Sequence, residues 1–483
     1  MNIVDPFLFH ARLNPAAPAI CVPGAARPLI SYGTLERTIN SIAHAALSLG
    51  IRHGQVAALH LGDRIFHAAT MLALARIGVV TLSARSLAFP REIGVDVVIA
   101  DRAASYQNAR RVIVADQSAW LSNSGDAPPS DNHQVGGDDL CRITLTSGST
   151  GEARGIAFTH RAIFERNARL GFVRGNRFPM CSRFYCELGM ATDPGYRDMI
   201  HMLSKGGTIF YYGEDPEGMI QAIGLYKIEG MIVSPQGLAE YLKFYEAYPN
   251  LPCGLDHILT SGASLSRTLS DRVRARMCSQ LFSTYGATET GGVAVASAHA
   301  IADIPGAVGY VVPGAAVEIV DDQAKALPLG REGSVRIRTA VTGYVGNPPE
   351  AFSAFRDGWF YPGDIGRLLP DGMLVILGRE RAVLNLGGDK VSAEVLEAVL
   401  VSHPTIAQAA AFMRADELGI ARLWAAVVLR SPVDEQVLRH YCTQKLGGAF
   451  APAHITVVDR LPQTAAGKLD RAALTSLVPK PSP

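Results

Sequence analysis

Apolar positions recur with two different periods along the first part of the chain. Leu35, Ile39, Ile42 and Ala43 fall at helical spacing, and Leu47 continues the stripe to Gly50. That pattern predicts an amphipathic helix that stops at a glycine. The apolar run QVAALHL (55–61) has the length of a buried strand. Residues 65–77 return to the helical pattern, and VVTLS (79–83) to the strand pattern. Strand, helix and strand in this rhythm predict a mostly parallel sheet covered by helices. The polar, turn-rich residues 116–139 predict a surface connection before the next strand, which includes Ile143 to Leu145. From about Arg379 the texture changes. A Gly387–Gly388 pair, an amphipathic segment from Ala393 to Leu400 and the apolar run ARLWAAVVLR (421–430) follow one another. The expectation is an α/β fold with a boundary near Gly378. Residues 1–378 would form a large N-terminal domain of βα layers, and residues 379–483 a small α+β C-terminal domain.

Length and composition agree with this division. At 483 residues the chain exceeds what one ordinary core holds, and 48% hydrophobic against 18% charged residues supplies enough apolar mass for more than one. Lys and Arg number 45 against 44 Asp and Glu, so a net charge of +1 gives no reason to expect nucleic acid or an anionic membrane as the main partner. The seven cysteines include no CxxC pair, and their odd number argues against a disulfide framework, leaving buried structural thiols. The N-terminus lacks the basic-then-apolar order of a signal peptide, and no run of 18 apolar residues predicts a membrane span. A cytoplasmic location fits these bounds.

The segment CRITLTSGSTGEARGIAFTH (141–160) carries the most chemistry. A strand enters a loop of Thr146, Ser147, Gly148, Ser149, Thr150 and Gly151, whose hydroxyls and glycine backbone present many donors to phosphate oxygens. Arg154 adds a fixed positive charge. The GxxxxGK[ST] phosphate loop is absent, because no Gly-Lys-Ser/Thr follows. Taken alone, the string also fits a flexible Ser/Gly turn.

The string resembles the TSGTTGxPKG signature of the adenylate-forming superfamily, which comprises acyl-CoA synthetases, peptide-synthetase adenylation domains and luciferases. Ala153 stands where Pro is usual and Arg154 where Lys is usual. Four further signatures follow in the family's order. STYGATETGG (283–292) is similar to the YGxTE element. The resemblance implies that Tyr285 stacks on adenine, Thr288 bonds the α-phosphate and Glu289 holds Mg²⁺, a cation suited to carboxylate and phosphate oxygens. GWFYPGDIGRLLPDGMLVILGRER (358–381) resembles the GWFxTGD element, with Pro362 replacing Thr. It implies that Asp364 binds the ribose hydroxyls, that Arg379 reaches the ribose side, and that Arg381 is the hinge. LNLGGDKVSAEVLEAVL (384–400) resembles the loop of the thiol tunnel, with Gly387 and Gly388 beside a pantetheine arm; Asn385 and Val395 depart from its pattern. LPQTAAGKLDRAAL (461–474) resembles the C-terminal LPxTxxGKxxRxxL signature and makes Lys468 the catalytic lysine of a mobile domain. Read singly, Glu289 fits a solvated turn, Asp364 a turn-capping carboxylate, and Gly387–Gly388 a tight turn before a helix.

The resemblance implies a ligase that uses ATP and Mg²⁺ to activate a small carboxylic acid. Its leading acceptor is coenzyme A. A stand-alone adenylation enzyme loading a carrier protein is second, and a nucleotide- or acyl-AMP-binding protein without turnover is third. The acid pocket is expected between residues 186–211 and 261–265, lined by Gly262, with Gly286 near its floor. Asp193 falls where amino-acid-activating relatives carry the partner of the substrate amino group. It equally suits a cap on a helix beginning near Tyr196.

Overall fold

The structure is a computed structural model. It describes residues 1–84, 87–122, 125–129, 134–147, 153–174, 180–211, 216–346, 354–379, 383–386, 389–462 and 473–474.

The early βαβ pattern is realised as expected. The stripe from Leu35 lies on the helix Tyr32–Ser48, with Ser31 accepting from Thr34 N–H as its cap. Strand Val56–His60, helix Arg64–Arg76 and strand Val80–Ser83 follow. These strands enter a six-stranded sheet in the spatial order Ala109–Val114, Val95–Ala100, Val56–His60, Val80–Ser83, Leu140–Ser147, Ala153–Thr159. All neighbours in it are parallel except the last pair, an antiparallel hairpin. Residues 116–139 are less uniform than expected. They contain the short helix Gln117–Trp120, and Trp120 is buried against Phe66 because it is too large and apolar to leave in water.

A second, larger sheet has Leu29–Ser31 at its edge, antiparallel to the first of six strands in parallel contact: Pro18–Cys21, Thr208–Phe210, Arg183–Cys186, Gly230–Val233, His257–Thr260 and Leu281–Ala287. It continues antiparallel through Gly291–Ser297, Ala307–Val311, Met373–Arg379, Asp364–Leu368 and Gly333–Arg338. The PDG turn between Asp364–Leu368 and Met373–Arg379 places Gly372 at φ +86°, a region open to glycine. Strand Met373–Arg379 is the last strand of the large sheet along the chain, and it ends where the sequence texture changes.

The later described residues build a smaller unit. A hairpin Val383–Leu386/Asp389–Ser392 leads to the helix Ala393–Val401. A three-stranded sheet of Ile406–Ala415, Ala421–Leu429 and His454–Val457 packs Leu423 and Val427 against Leu396, Leu400, Leu438 and Cys442. Leu474 returns to this sheet, buried with Phe412 and Trp424. The turn between the first two of these strands touches the large unit. Leu418 and Ile420 share an apolar cluster with Leu269, Val273 and Met277. Ser266 Oγ donates to the Leu418 carbonyl.

The seven cysteines are free, and all but the half-buried Cys253 are buried, as expected of structural thiols. Among the described residues no helix is long and apolar enough to cross a membrane.

Candidate active site

Two hairpins and one strand end carry the described part of the site. The first hairpin pairs Leu140–Ser147 with Ala153–Thr159 in a register that sets Thr146 opposite Arg154 and Ser147 opposite Ala153. Gly148, Ser149, Thr150 and Gly151 at its tip lie outside the described residues, as do Arg381, Gly387, Gly388 and Lys468. Arg379 ends its strand opposite Asp364, and its side chain is also outside the description.

The second hairpin pairs Leu281–Ala287 with Gly291–Ser297, and its register shifts between Tyr285 and Gly286. Gly286 is required by close approach. A Cβ there would sit 2.1 Å from the Gly291 carbonyl oxygen. At the tip, Thr290 N–H donates to Ala287 O at 3.1 Å, which closes the turn bearing Thr288 and Glu289.

Side chains from two other segments grip this turn. Arg166 Nη2 donates to Thr288 O at 2.9 Å, Thr339 Oγ1 to Glu289 O at 2.7 Å, and Arg169 Nη2 to Thr290 O at 3.1 Å. Three consecutive carbonyls are thus fixed from outside the hairpin. Glu289 is 7% exposed, so it is not a solvated turn residue. Its Oε1 accepts from Tyr344 OH at 3.0 Å. Beside it, Tyr285 OH donates to Asp364 Oδ2 at 2.5 Å, and Asp364 is buried at the start of its strand.

Asp193 is occupied differently from either reading of the sequence. The helix starts at Asp193 itself, and its cap is Thr192, whose Oγ1 accepts from Gly195 N–H at 3.1 Å. The Asp193 carboxylate lies buried between two guanidinium groups: Arg166 Nη2 and Arg197 Nε donate to Oδ2 at 2.9 and 3.1 Å. Burial favours its protonation, but the two arginines outweigh it and hold the carboxyl below its ordinary range. Burial lowers Arg166 to about 10, with Asp193 opposing, so it remains cationic at neutral pH.

The parallel strands Arg183–Cys186, Gly230–Val233, His257–Thr260 and Leu281–Ala287 all end on one edge of the sheet, where open α/β sheets form their ligand crevice. Gly262, at φ +93°, follows one of these ends, and Gly286 lies on another.

Among the described residues no group of three or more His, Cys, Asp or Glu side chains could cage a metal. One buried carboxylate, Glu289, fits Mg²⁺, which is held by one or two carboxylates together with substrate phosphates. Sequence reasoning missed Tyr344, Thr339, Arg166 and Arg169. Each acts on the turn from a distant segment.

The AMP-binding enzyme family matches residues 8–345, and the AMP-binding enzyme C-terminal domain matches residues 395–468. The medium-chain fatty-acid–CoA ligase of Escherichia coli is 27% identical over 70% of this chain, an alignment spanning 61% of that ligase. Enterobactin synthase component E of Escherichia coli is 28% identical over 95% of this chain and 92% of its own length. The amide bond synthetase McbA of Marinactinospora thermotolerans shares the fold, with a TM-score of 0.79 at 22% identity over 99% of both chains. The chain belongs to the AMP-binding enzyme family, the adenylate-forming ligases that use ATP.

Proposed function

We propose that this ligase activates a small carboxylic acid as its acyl-adenylate and transfers the acyl group to coenzyme A. The observation that carries the reading is the turn 288–290, in which Glu289 and Thr290 are buried. It supports one carboxylate, Glu289, beside the Tyr285–Asp364 pair.

In the first half-reaction a carboxylate oxygen of the acid attacks the α-phosphorus of ATP. The bond to the bridging oxygen breaks, and pyrophosphate leaves with that electron pair. Both reactants are anionic, so aimed donors and positive charge lower the barrier. Thr288 bonds the α-phosphate, and Asp364 accepts from the ribose hydroxyls beside Tyr285, which packs on adenine. Residues 146–151 with Arg154 hold the β- and γ-phosphates, and Lys468 bridges carboxylate and α-phosphate. Arg379 supports the ribose side. Mg²⁺ bound at Glu289 supplies charge neutralisation of the phosphates. The acid lies in the crevice near Gly262 and Gly286. Asp193 Oδ2 already accepts from two guanidinium groups, and Asp193 is not offered as the partner of a substrate ammonium.

In the second half-reaction the C-terminal domain turns about Arg381 and presents the Gly387–Gly388 loop. The thiolate sulfur then attacks the acyl carbon, and AMP leaves. Residues 1–378 and 379–483 are the two moving parts in this reading. The strand Asp389–Ser392 lies beside the strand Leu140–Ser147, which supports a thiol approaching there.

Pyrophosphate release measured over a panel of aromatic, aliphatic and amino acids tests the first step. Coenzyme A, a carrier protein and a simple amine, added in separate arms, identify the acceptor. The expected outcome is release with at least one acid and a thioester only with coenzyme A. Lys468→Ala should abolish adenylate formation yet largely spare thioester formation from supplied acyl-adenylate. Normal ATP–pyrophosphate exchange in that variant would overturn the role of Lys468.

A further inference from the structure

We propose that Tyr344 is a positioning residue for the adenylation reaction, a strut that ties the phosphate-loop strand to the carboxylate at Glu289. The inference rests on the reading of Glu289 as the Mg²⁺–ATP ligand. Tyr344 is buried at 6% exposure between the two halves of the nucleotide site. On one side its hydroxyl donates to Glu289 Oε1 at 3.0 Å. On the other, the Arg154 guanidinium lies over its ring, 5.2 Å from the centroid. The next residue, Val345, donates its N–H to the Gly155 carbonyl at 2.8 Å, stitching the segment to the strand that leaves the phosphate loop. Phe355 packs edge-on at 5.2 Å and limits ring motion.

The consequence is geometric. One carboxylate oxygen of Glu289 is held by a neutral donor, and among the described residues the other, Oε2, accepts no hydrogen bond. A ligand carboxylate oriented in this way offers one oxygen in a fixed direction, as supporting hydrogen bonds do in metal sites generally. Arg154 and Glu289 are thereby spaced by one rigid ring, Glu289 being the residue that would hold the metal.

Tyr344→Phe keeps the ring and its stacking and removes only the donor. The test titrates the wild type and Tyr344→Phe with ATP by calorimetry, with Mn²⁺ or with EDTA, and counts bound Mn²⁺ by electron paramagnetic resonance. The expected result is a loss of about tenfold in Mn²⁺–ATP affinity, the size of one hydrogen bond to a charged group. ATP affinity in EDTA should not change. In turnover, half-saturating Mg²⁺ should rise by about tenfold and kcat of pyrophosphate exchange should fall, with the KM of the acid unmoved. Tyr344→His, which keeps a ring N–H donor, should recover part of the loss, and it carries the comparison if Tyr344→Phe fails to melt cooperatively. Glu289→Gln and the Glu289→Gln/Tyr344→Phe double variant should bind Mn²⁺–ATP equally, because the strut has nothing left to orient. An equal loss with and without metal, or no loss, overturns the proposal. A wild type that binds Mn²⁺–ATP and exchanges no pyrophosphate overturns the reaction instead, and the Tyr344 comparison still reads out on binding.

Discussion

Two guanidinium groups share one carboxylate oxygen at Asp193, and the three side chains are nearly water-free. Removing the carboxylate leaves two buried cations facing each other. Asp193→Ala should therefore destabilise the fold by about 3–5 kcal/mol, as breaking a buried ion pair from one side does. Denaturant unfolding measures this. If Asp193 instead waited for a substrate ammonium, the variant would keep its stability and lose activity only toward amino acids. Arg166 links this cluster to the site, because the same Nη2 also reaches the Thr288 carbonyl. Asp193 is linked to the turn at Thr288 through Arg166, a link that its sequence position did not reveal.

At the scale of elements, the helix His160–Ala168 ties the phosphate-loop hairpin to the N-terminal segment. His160 is fully buried, and its Nδ1 accepts from Ile3 N–H at 3.1 Å, which places the proton on Nε2. Burial pulls its pKa from 6.5 down to about 4, with Asp139 opposing. The unfolded chain therefore takes up this proton before the folded one does. Stability from the neutral ring is present above pH 6.5 and is lost as pH falls through about 4. The loss amounts to about 3 kcal/mol from this group alone. His160→Gln should flatten the pH dependence of urea unfolding between those limits, and an unchanged slope would count against the assignment. The early helices and strands were legible because each buries one continuous apolar pattern. Of the antiparallel run from Gly291 onward only the hairpin about the PDG turn at 370–372 was legible, since the other strands pair in ways that depend on close approaches such as Gly286 against Gly291. Thr146, Arg154, Glu289 and Asp364 were legible as candidates from motifs. Tyr344 and Arg166 were not, because they reach the turn from 55 and 122 residues away and bond a carboxylate or a carbonyl, leaving no local pattern.

On the whole-molecule scale, the turn 416–420 is what the small unit presses onto the large one. Asp416 Oδ1 accepts from the N–H groups of Leu418 and Ile420 at 2.9 and 3.0 Å, which shapes the tip, and Gly419 at φ +71° completes it. Arg422 donates to Asp416 at 3.0 Å and also lies 3.7 Å from Glu240 on the large unit. Burying a side chain such as Leu418 is worth about 1.5–3 kcal/mol. Any rotation of residues 379–483 must break this contact, so its strength enters the equilibrium between the two arrangements directly. In the arrangement described, the strand Asp389–Ser392 flanks Leu140–Ser147, the arrangement that the proposed mechanism assigns to acyl transfer to a thiol. Leu418→Ser should weaken this arrangement and shift the balance by about tenfold toward the other one. Single-turnover kinetics would then show thioester formation slowed relative to adenylate formation, with ATP affinity unchanged. Equal slowing of both half-reactions would mean that the contact supports the fold without biasing the rotation.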